Sequence, residues 1–306
     1  MKICLTVNSS PWSKFKGGGQ LAVHRLASTL SAQGQEVHVI YSKYKTEHFD
    51  VEVPYKVHWA RHYDVATINL NIFSYLSVLR PLAKKEHFDI IHGNAEEAYY
   101  ADTVARETGA DYVFTSHAPN IPPTGMLGGL VNPIRFIKSI NTYLLRKAVS
   151  SAQKIVTFSQ FSRDIILHAL GNNFRDRVEV IPPGIDASWL DMKRTSVSFP
   201  HILFWGRVED EKGLPELFMA MKKIIANIPE VKLTIVGEGN QLKHYKRVVS
   251  EQGLSEKVVF SGWLNTKAIQ QLVSKCSLGV FPSRIESFGL SVVEAMAGGL
   301  PVVTSC

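Results

Sequence analysis

Short apolar runs alternate along this chain with stretches in which apolar residues recur every three or four positions. Residues 3–7 (Ile-Cys-Leu-Thr-Val) make the first run, and a polar loop ending Lys16-Gly17-Gly18-Gly19 follows. Residues 20–33 then place Leu21, Val23, Leu26, Ala27 and Leu30 on one helical face, and Gly34 stops the pattern. Residues 36–41 read as a second strand, with further strand-like runs at 88–92, 112–117, 154–159 and 178–181. Helical spacing fills residues 95–108 and 133–150 between them. Regular strand–helix alternation predicts right-handed crossovers and a parallel sheet covered on both faces.

Pro182-Pro183-Gly184 closes this series, and residues 187–200 lack clear periodicity. A second series follows, with strands at 202–205, 231–236, 258–261, 278–282 and 301–304 and helices at 214–227, 241–252, 266–274 and 288–297. The expected fold class is α/β, with two doubly wound units: residues 1–190, a linker at 191–200, and residues 201–306. A cleft between two such units is the natural place for a ligand.

Composition narrows the class. The chain has 306 residues, 45% hydrophobic and 20% charged, which is that of a folded globular protein. No run approaches the roughly 18 unbroken apolar residues of a spanning helix. The start, Met1-Lys2-Ile3-Cys4-Leu5-Thr6-Val7-Asn8, reads as a strand rather than a secretory signal. Three widely spaced cysteines (Cys4, Cys276, Cys306) argue against a disulfide framework or a structural zinc, and point to the cytoplasm. The net charge of +7 suits phosphates, nucleotides or an acidic lipid surface without selecting among them. With no arginine-rich tract, finger spacing or aromatic RNA-binding signature, nucleic acid is not an expected partner.

Two groups of residues carry candidate chemistry. Gly206-Arg207 follows a strand directly, and Lys212-Gly213 comes shortly after it, before a helix. A guanidinium and an ammonium at the carboxyl end of a parallel strand are placed to clamp a diphosphate. Taken alone, Lys212 among Glu209, Asp210 and Glu211 reads more readily as a solvated surface residue. The second group, Pro282-Ser283-Arg284-Ile285-Glu286-Ser287-Phe288-Gly289-Leu290, leads into a helix containing Glu294. Its N-terminus offers unpaired N–H groups and a positive dipole end. The two carboxylates can accept hydrogen bonds from sugar hydroxyls.

The E-x7-E pair Glu286…Glu294, with Gly206-Arg207…Lys212-Gly213 upstream, resembles retaining glycosyltransferases of the GT-B fold, family 4 (group 1) type. Val156-Thr157-Phe158-Ser159, Val180-Ile181-Pro182-Pro183-Gly184-Ile185-Asp186 and Ile235-Val236-Gly237-Glu238-Gly239 extend the resemblance along nearly the whole chain. The resemblance implies two Rossmann-like domains facing each other across a cleft, the first on the acceptor side and the second holding the donor. It also implies further elements beyond residue 306, so that the second domain reads as shortened at its C-terminal end. Arg207 and Lys212 would bind the donor diphosphate, Glu294 the ribose, and Glu286 the transferred sugar, with N–H groups of Phe288, Gly289 and Leu290 on sugar or phosphate oxygens. His117 would face the donor sugar, and Gly18 and Gly19 match the glycine-rich loop lining the donor site.

The activity so implied is metal-independent transfer, with retention, from a nucleotide diphosphate sugar to a hydroxyl acceptor in polysaccharide or glycolipid synthesis. No D-x-D motif is present to hold a metal, and no cofactor is expected. The alternatives are a nucleotide-sugar-binding or inactive homologue and, less favoured, a sugar-nucleotide epimerase. Gly237-Glu238-Gly239 begins a G-x-G-x-x-G fingerprint, but Leu242 breaks it. Residues 134–149, with Arg135, Lys138 and Arg146 near one face, fit a cationic helix resting peripherally on an anionic membrane, and fit better a core-facing helix with a solvated back. Residues 125–130 read as a mobile loop at the acceptor entrance, and the base of the donor is expected near Ser261-Gly262-Trp263-Leu264.

Overall fold

A parallel strand covered on both faces reads as a continuous apolar run, and β1 (Lys2–Val7) is such a strand, buried throughout after Lys2. The computed structural model of the protein describes residues 1–13, 17–63, 71–94, 98–117, 146–194 and 200–305. The chain divides into two compact units, Met1–Gly184 and Ile185–Cys306.

In the first unit β1 is followed by α1 (Gly18–Ala32), β2 (Glu36–Lys43), β3 (Lys56–Arg61), α2 (Asn71–Glu86) and β4 (Ile90–Asn94). Next come α3 (Ala98–Thr108), β5 (Asp111–Ser116), β6 (Lys154–Thr157), α4 (Gln160–Leu170) and β7 (Val178–Val180). The seven strands lie in the order β3-β2-β1-β4-β5-β6-β7, every pair parallel. Alternate residues of β1 serve opposite faces: Ile3, Leu5 and Val7 join Val23 and Ala27, while Cys4 joins Leu79, Ile91 and Val104. The strand order reverses between β1 and β4, which opens a crevice at their carboxyl ends.

The periodicity does not reveal β3 and α2. Pro81 lies inside α2 and interrupts the helical signal. Burial of Tyr75, Leu79 and Ala83, four residues apart, holds the helix against the sheet regardless.

The second unit runs β8 (His201–Trp205), α5 (Leu214–Asn227), β9 (Lys232–Val236), α6 (Leu242–Glu251), β10 (Val258–Gly262), α7 (Thr266–Val273), β11 (Leu278–Phe281), α8 (Leu290–Ala297) and β12 (Val302–Thr304). Its strand order is β10-β9-β8-β11-β12, again all parallel, and the reversal falls between β8 and β11. Trp189 is only 1% exposed and lies parallel to Trp205 at 6.0 Å between ring centroids. Ile185 and Met192 pack on the same core. Residues 185–190, which periodicity leaves with the first domain, therefore belong to the second unit, because their large apolar groups find cover there.

Cys4 and Cys276 are buried free thiols. Among the described residues no helix is long and apolar enough to cross a membrane. The loop at 125–130 lies outside the described residues, as do residues 134–145 of the cationic stretch, while Arg146 is described and donates to the Ala169 carbonyl.

Candidate functional site

The chain leaves β8 in the middle of the second sheet and turns at Gly206-Arg207. Gly206 N–H donates to the Val236 carbonyl at 3.0 Å and Val208 N–H to the Glu238 carbonyl at 2.9 Å. Gly237, at φ +138, lies so close that a Cβ there would sit 1.9 Å from the Gly206 carbonyl oxygen. The broken glycine fingerprint thus has a packing role: it seats the Arg207 loop on the loop after β9.

The acidic run beside Lys212 is consumed by local contacts. Glu209 accepts from Asn240 N–H at 3.0 Å, Asp210 accepts from Tyr245 Oη at 3.0 Å and Gln241 Nε2 at 3.1 Å, and Glu211 pairs with Arg207 at 2.7 Å. Lys212 is not solvated: its side chain is 12% exposed, against 61% for Arg207.

Gly213 explains where Lys212 goes. It has φ +65, and a Cβ on it would lie 1.9 Å from the Pro282 carbonyl oxygen. This approach sets the loop after β8 against the loop after β11. Lys212 Nζ then donates to Glu286 Oε1 at 2.6 Å, and Ser283 Oγ donates to the same oxygen at 2.9 Å. Arg284 N–H donates to the Glu211 carbonyl at 2.8 Å, and its Nε to Glu216 at 3.1 Å, bracing the contact from the other side.

Helix α8 starts at Leu290, two residues later than periodicity suggests, with Gly289 at φ +83 as its cap. The Val292 and Val293 N–H groups turn back to the Gly289 carbonyl at 2.9 and 3.3 Å. First-turn N–H groups point out of a helix N-terminus, where the dipole is positive. Phe288 and Leu290 are half-buried and Gly289 is buried. One turn further in, Glu294 accepts from Trp205 Nε1 at 3.3 Å, which ties α8 to the end of β8. Arg207, Lys212, Glu286, Glu294 and the start of α8 therefore all belong to the switch point between β8 and β11.

In the first unit the corresponding crevice holds His117, one residue beyond β5. Its Nε2 lies 2.8 Å from Asn94 Oδ1, Phe158 packs edge-on at 5.1 Å, and its Nδ1 is buried with no hydrogen-bond partner among the described residues. Burial lowers its pKa to about 4, so the ring is neutral near neutral pH. Gly17 caps α1, its N–H bonded to Gln20 Oε1 at 2.9 Å, and Gln20 Nε2 reaches Asn8 Oδ1 at 2.8 Å. Gly18 opens the helix, and a Cβ on Gly19 would lie 3.3 Å from His117 Nδ1.

One grouping among the described residues, Glu36, His38 and Glu86, brings three ligand-type atoms within 4.8 Å. Both carboxylates already face lysines, Glu36 with Lys56 at 2.7 Å and Glu86 with Lys2 at 3.2 Å. The grouping reads as an ion-pair network at the amino end of β2.

Sequence reasoning did not single out Ser283, Trp205, Glu211 or Asn94. Ser283 sat in view, three residues before Glu286. Glu211 was in view as well, four residues from Arg207, but Trp205 and Asn94 needed the fold, since Trp205 is 89 residues from Glu294 and Asn94 is 23 from His117.

Comparison with known proteins places the chain. Residues 16–189 match the profile of Glycosyltransferase Family 4, and residues 193–306 that of Glycosyl transferases group 1. An uncharacterized glycosyltransferase of Methanocaldococcus jannaschii is 28% identical over 307 residues, covering 94% of this chain and 76% of that one. An uncharacterized glycosyltransferase of Bacillus subtilis is 27% identical over 236 residues, covering 76% of this chain and 62% of that one. Among solved structures, sucrose-phosphate synthase from Thermosynechococcus elongatus superposes with a TM-score of 0.79 at 18% identity, over 100% of this chain and 81% of that one. Anabaena HepE in complex with UDP-glucose gives 0.71 at 20% identity, over 99% and 80%. The chain belongs to glycosyltransferase family 4, a transferase whose two parallel sheets are those of the GT-B fold.

Proposed function

We propose that the chain transfers a sugar, with retention and without a metal, from a nucleotide diphosphate sugar to a hydroxyl acceptor. The carrying observation is the 2.6 Å pair between Lys212 and Glu286 beside the start of α8. It sets a cation for a diphosphate next to a carboxylate for sugar hydroxyls, at the switch point where α/β sheets bind ligands. Anabaena HepE, whose fold this chain shares, was solved with UDP-glucose.

In this reading Arg207 and Lys212 leave their carboxylate partners for the diphosphate, and the N–H groups of Phe288, Gly289 and Leu290 take its remaining oxygens or those of the sugar. Glu294 holds the ribose. Glu286 holds the sugar and favours positive charge at the anomeric carbon. The bond from the anomeric carbon to the phosphate oxygen breaks with its electron pair going to phosphate. The acceptor oxygen bonds to that carbon on the same face, and its proton passes to the leaving phosphate oxygen. His117 of the first unit, neutral, takes a hydrogen bond from a hydroxyl. A glycan or lipid-linked acceptor at the cytoplasmic membrane face, in polysaccharide or glycolipid synthesis, is the setting we infer.

Calorimetry with UDP-glucose, UDP-N-acetylglucosamine and GDP-mannose, followed by nucleotide-release assays, tests the reading. Release that disappears in Glu286→Ala and Arg207→Ala supports it. Tight donor binding with no release under any acceptor would leave a binding protein, and a glycosyl group trapped covalently on Glu286 would overturn the proposed role of that residue.

A further inference from the structure

The Asn94 side chain at the end of β4 lies between three groups whose chemistry fixes its orientation. Its Nδ2 is 3.1 Å from the Thr6 carbonyl oxygen and 3.3 Å from the His92 carbonyl oxygen. Two carbonyls can only accept, so the amide NH2 must face them and Oδ1 must face the other way. Oδ1 faces His117 Nε2 at 2.8 Å, and an amide oxygen can only accept. Nε2 therefore carries the proton. In a neutral imidazole with Nε2 protonated, Nδ1 is a bare lone pair. That atom is buried, has no partner among the described residues, and points at the turn where Gly19 lacks a side chain. An acceptor held under cover without a donor costs free energy, which a ligand hydroxyl recovers.

We propose that Asn94 is a positioning residue: it locks His117 as the Nε2–H tautomer, so that Nδ1 accepts a hydrogen bond from a ligand hydroxyl beside Gly19. This rests on the donor-transfer reading for the identity of the ligand, but the tautomer follows from the three hydrogen bonds alone. The group that reaches His117 must then be a donor. A sugar hydroxyl qualifies and a phosphate oxygen does not, which gives this corner of the first unit to the sugar or acceptor rather than to the diphosphate.

The first test needs no ligand. Long-range 1H–15N correlation spectra of the uniformly labelled full chain, with His117 assigned by the loss of its signals in His117→Gln, report which ring nitrogen is protonated. Nε2–H in the wild type is expected, and Nδ1–H overturns the proposal. Saturating UDP-glucose should move the Nδ1 resonance, whereas UDP, which lacks the sugar, should not. An Nδ1 that ignores bound UDP-glucose overturns the assignment of that atom to a ligand hydroxyl. If UDP-glucose does not bind, the donor reading fails for this sugar while the tautomer is judged independently. Asn94→Ala, checked by circular dichroism for native folding, should release the tautomer and weaken UDP-glucose about tenfold while leaving UDP affinity unchanged. A folded Asn94→Ala protein with the wild-type tautomer and wild-type affinity overturns the role of Asn94.

Discussion

Lys212 Nζ and Glu286 Oε1 meet at 2.6 Å although 74 residues separate them in the chain. The lysine is nearly enclosed and the carboxylate is 39% exposed, so the pair presents its acidic side outward. Ser283 donates to the same Oε1, which loads one carboxylate oxygen twice and directs a ligand to Oε2. In the transfer we propose, a diphosphate would draw Lys212 away and Ser283 would remain to hold the carboxylate.

Ser283→Ala removes that remaining donor. A hydrogen bond to a charged group contributes about 1.5–3 kcal/mol, so kcat/KM for the donor should fall at least about tenfold with the fold intact. Steady-state kinetics with Ser283→Thr as the conservative control check this. An alanine variant as active as the wild type would show that Ser283 only packs.

Lys212→Met keeps the length of the stem and deletes the charge. Loss of one group stabilising a developing anion costs roughly a hundredfold or more in kcat. Affinity for UDP alone should fall as well, because the diphosphate loses its partner before any chemistry. Unchanged UDP affinity by calorimetry would remove Lys212 from the diphosphate site.

Gly213→Ala and Gly253→Ala form a matched pair, since both glycines have positive φ, +65 and +70. Around Gly253 a Cβ meets nothing within 4 Å, so only the backbone cost of about 1–2 kcal/mol applies. At Gly213 the new Cβ must also push aside the Pro282 carbonyl at 1.9 Å. Urea unfolding should therefore show a loss of roughly 3 kcal/mol or more for Gly213→Ala, about twice that of its partner. Equal losses would mean that the two loops are not locked together by this contact.

Acid should weaken the first unit. Burial is the leading cause that lowers His58, His92 and His117 to about 4 in the folded chain, from an ordinary 6.5. Between these values the unfolded chain binds the protons and the folded chain does not, so stability falls as pH drops from 6.5 toward 4. After allowance for partial solvent access, the loss at pH 5 is on the order of 1 kcal/mol for each histidine. Urea midpoints at pH 7 and pH 5 measure it; a midpoint that rises on acidification would contradict the shifts.

Most elements were legible because a buried parallel strand and a two-sided helix leave strong local patterns. The helix at 214–227 and the strands of the second unit lie within a residue or two of where periodicity puts them. α2 was not legible, since Pro81 breaks the pattern and only burial of Tyr75 and Leu79 restores the helix, and β3, Lys-Val-His-Trp-Ala-Arg, has no continuous apolar run to mark it. Trp189 likewise carries no local sign of which core will take it, and its stack on Trp205 answers that.

The amino-acid sequence by itself determined which residue types stand at the ends of which strands: Arg207, Lys212, Glu286 and Glu294 in the second unit, Gly18, Gly19 and His117 in the first. Their local order suffices for that, because strand ends and helix starts follow from short-range periodicity. Tertiary structure alone decided what each of them faces. Lys212 is enclosed and paired rather than solvated because Gly213 seats its loop on Pro282, a contact across 69 residues that no local pattern encodes. His117 is an acceptor rather than a cation because burial and the amide of Asn94, on the neighbouring strand, fix where its one proton sits.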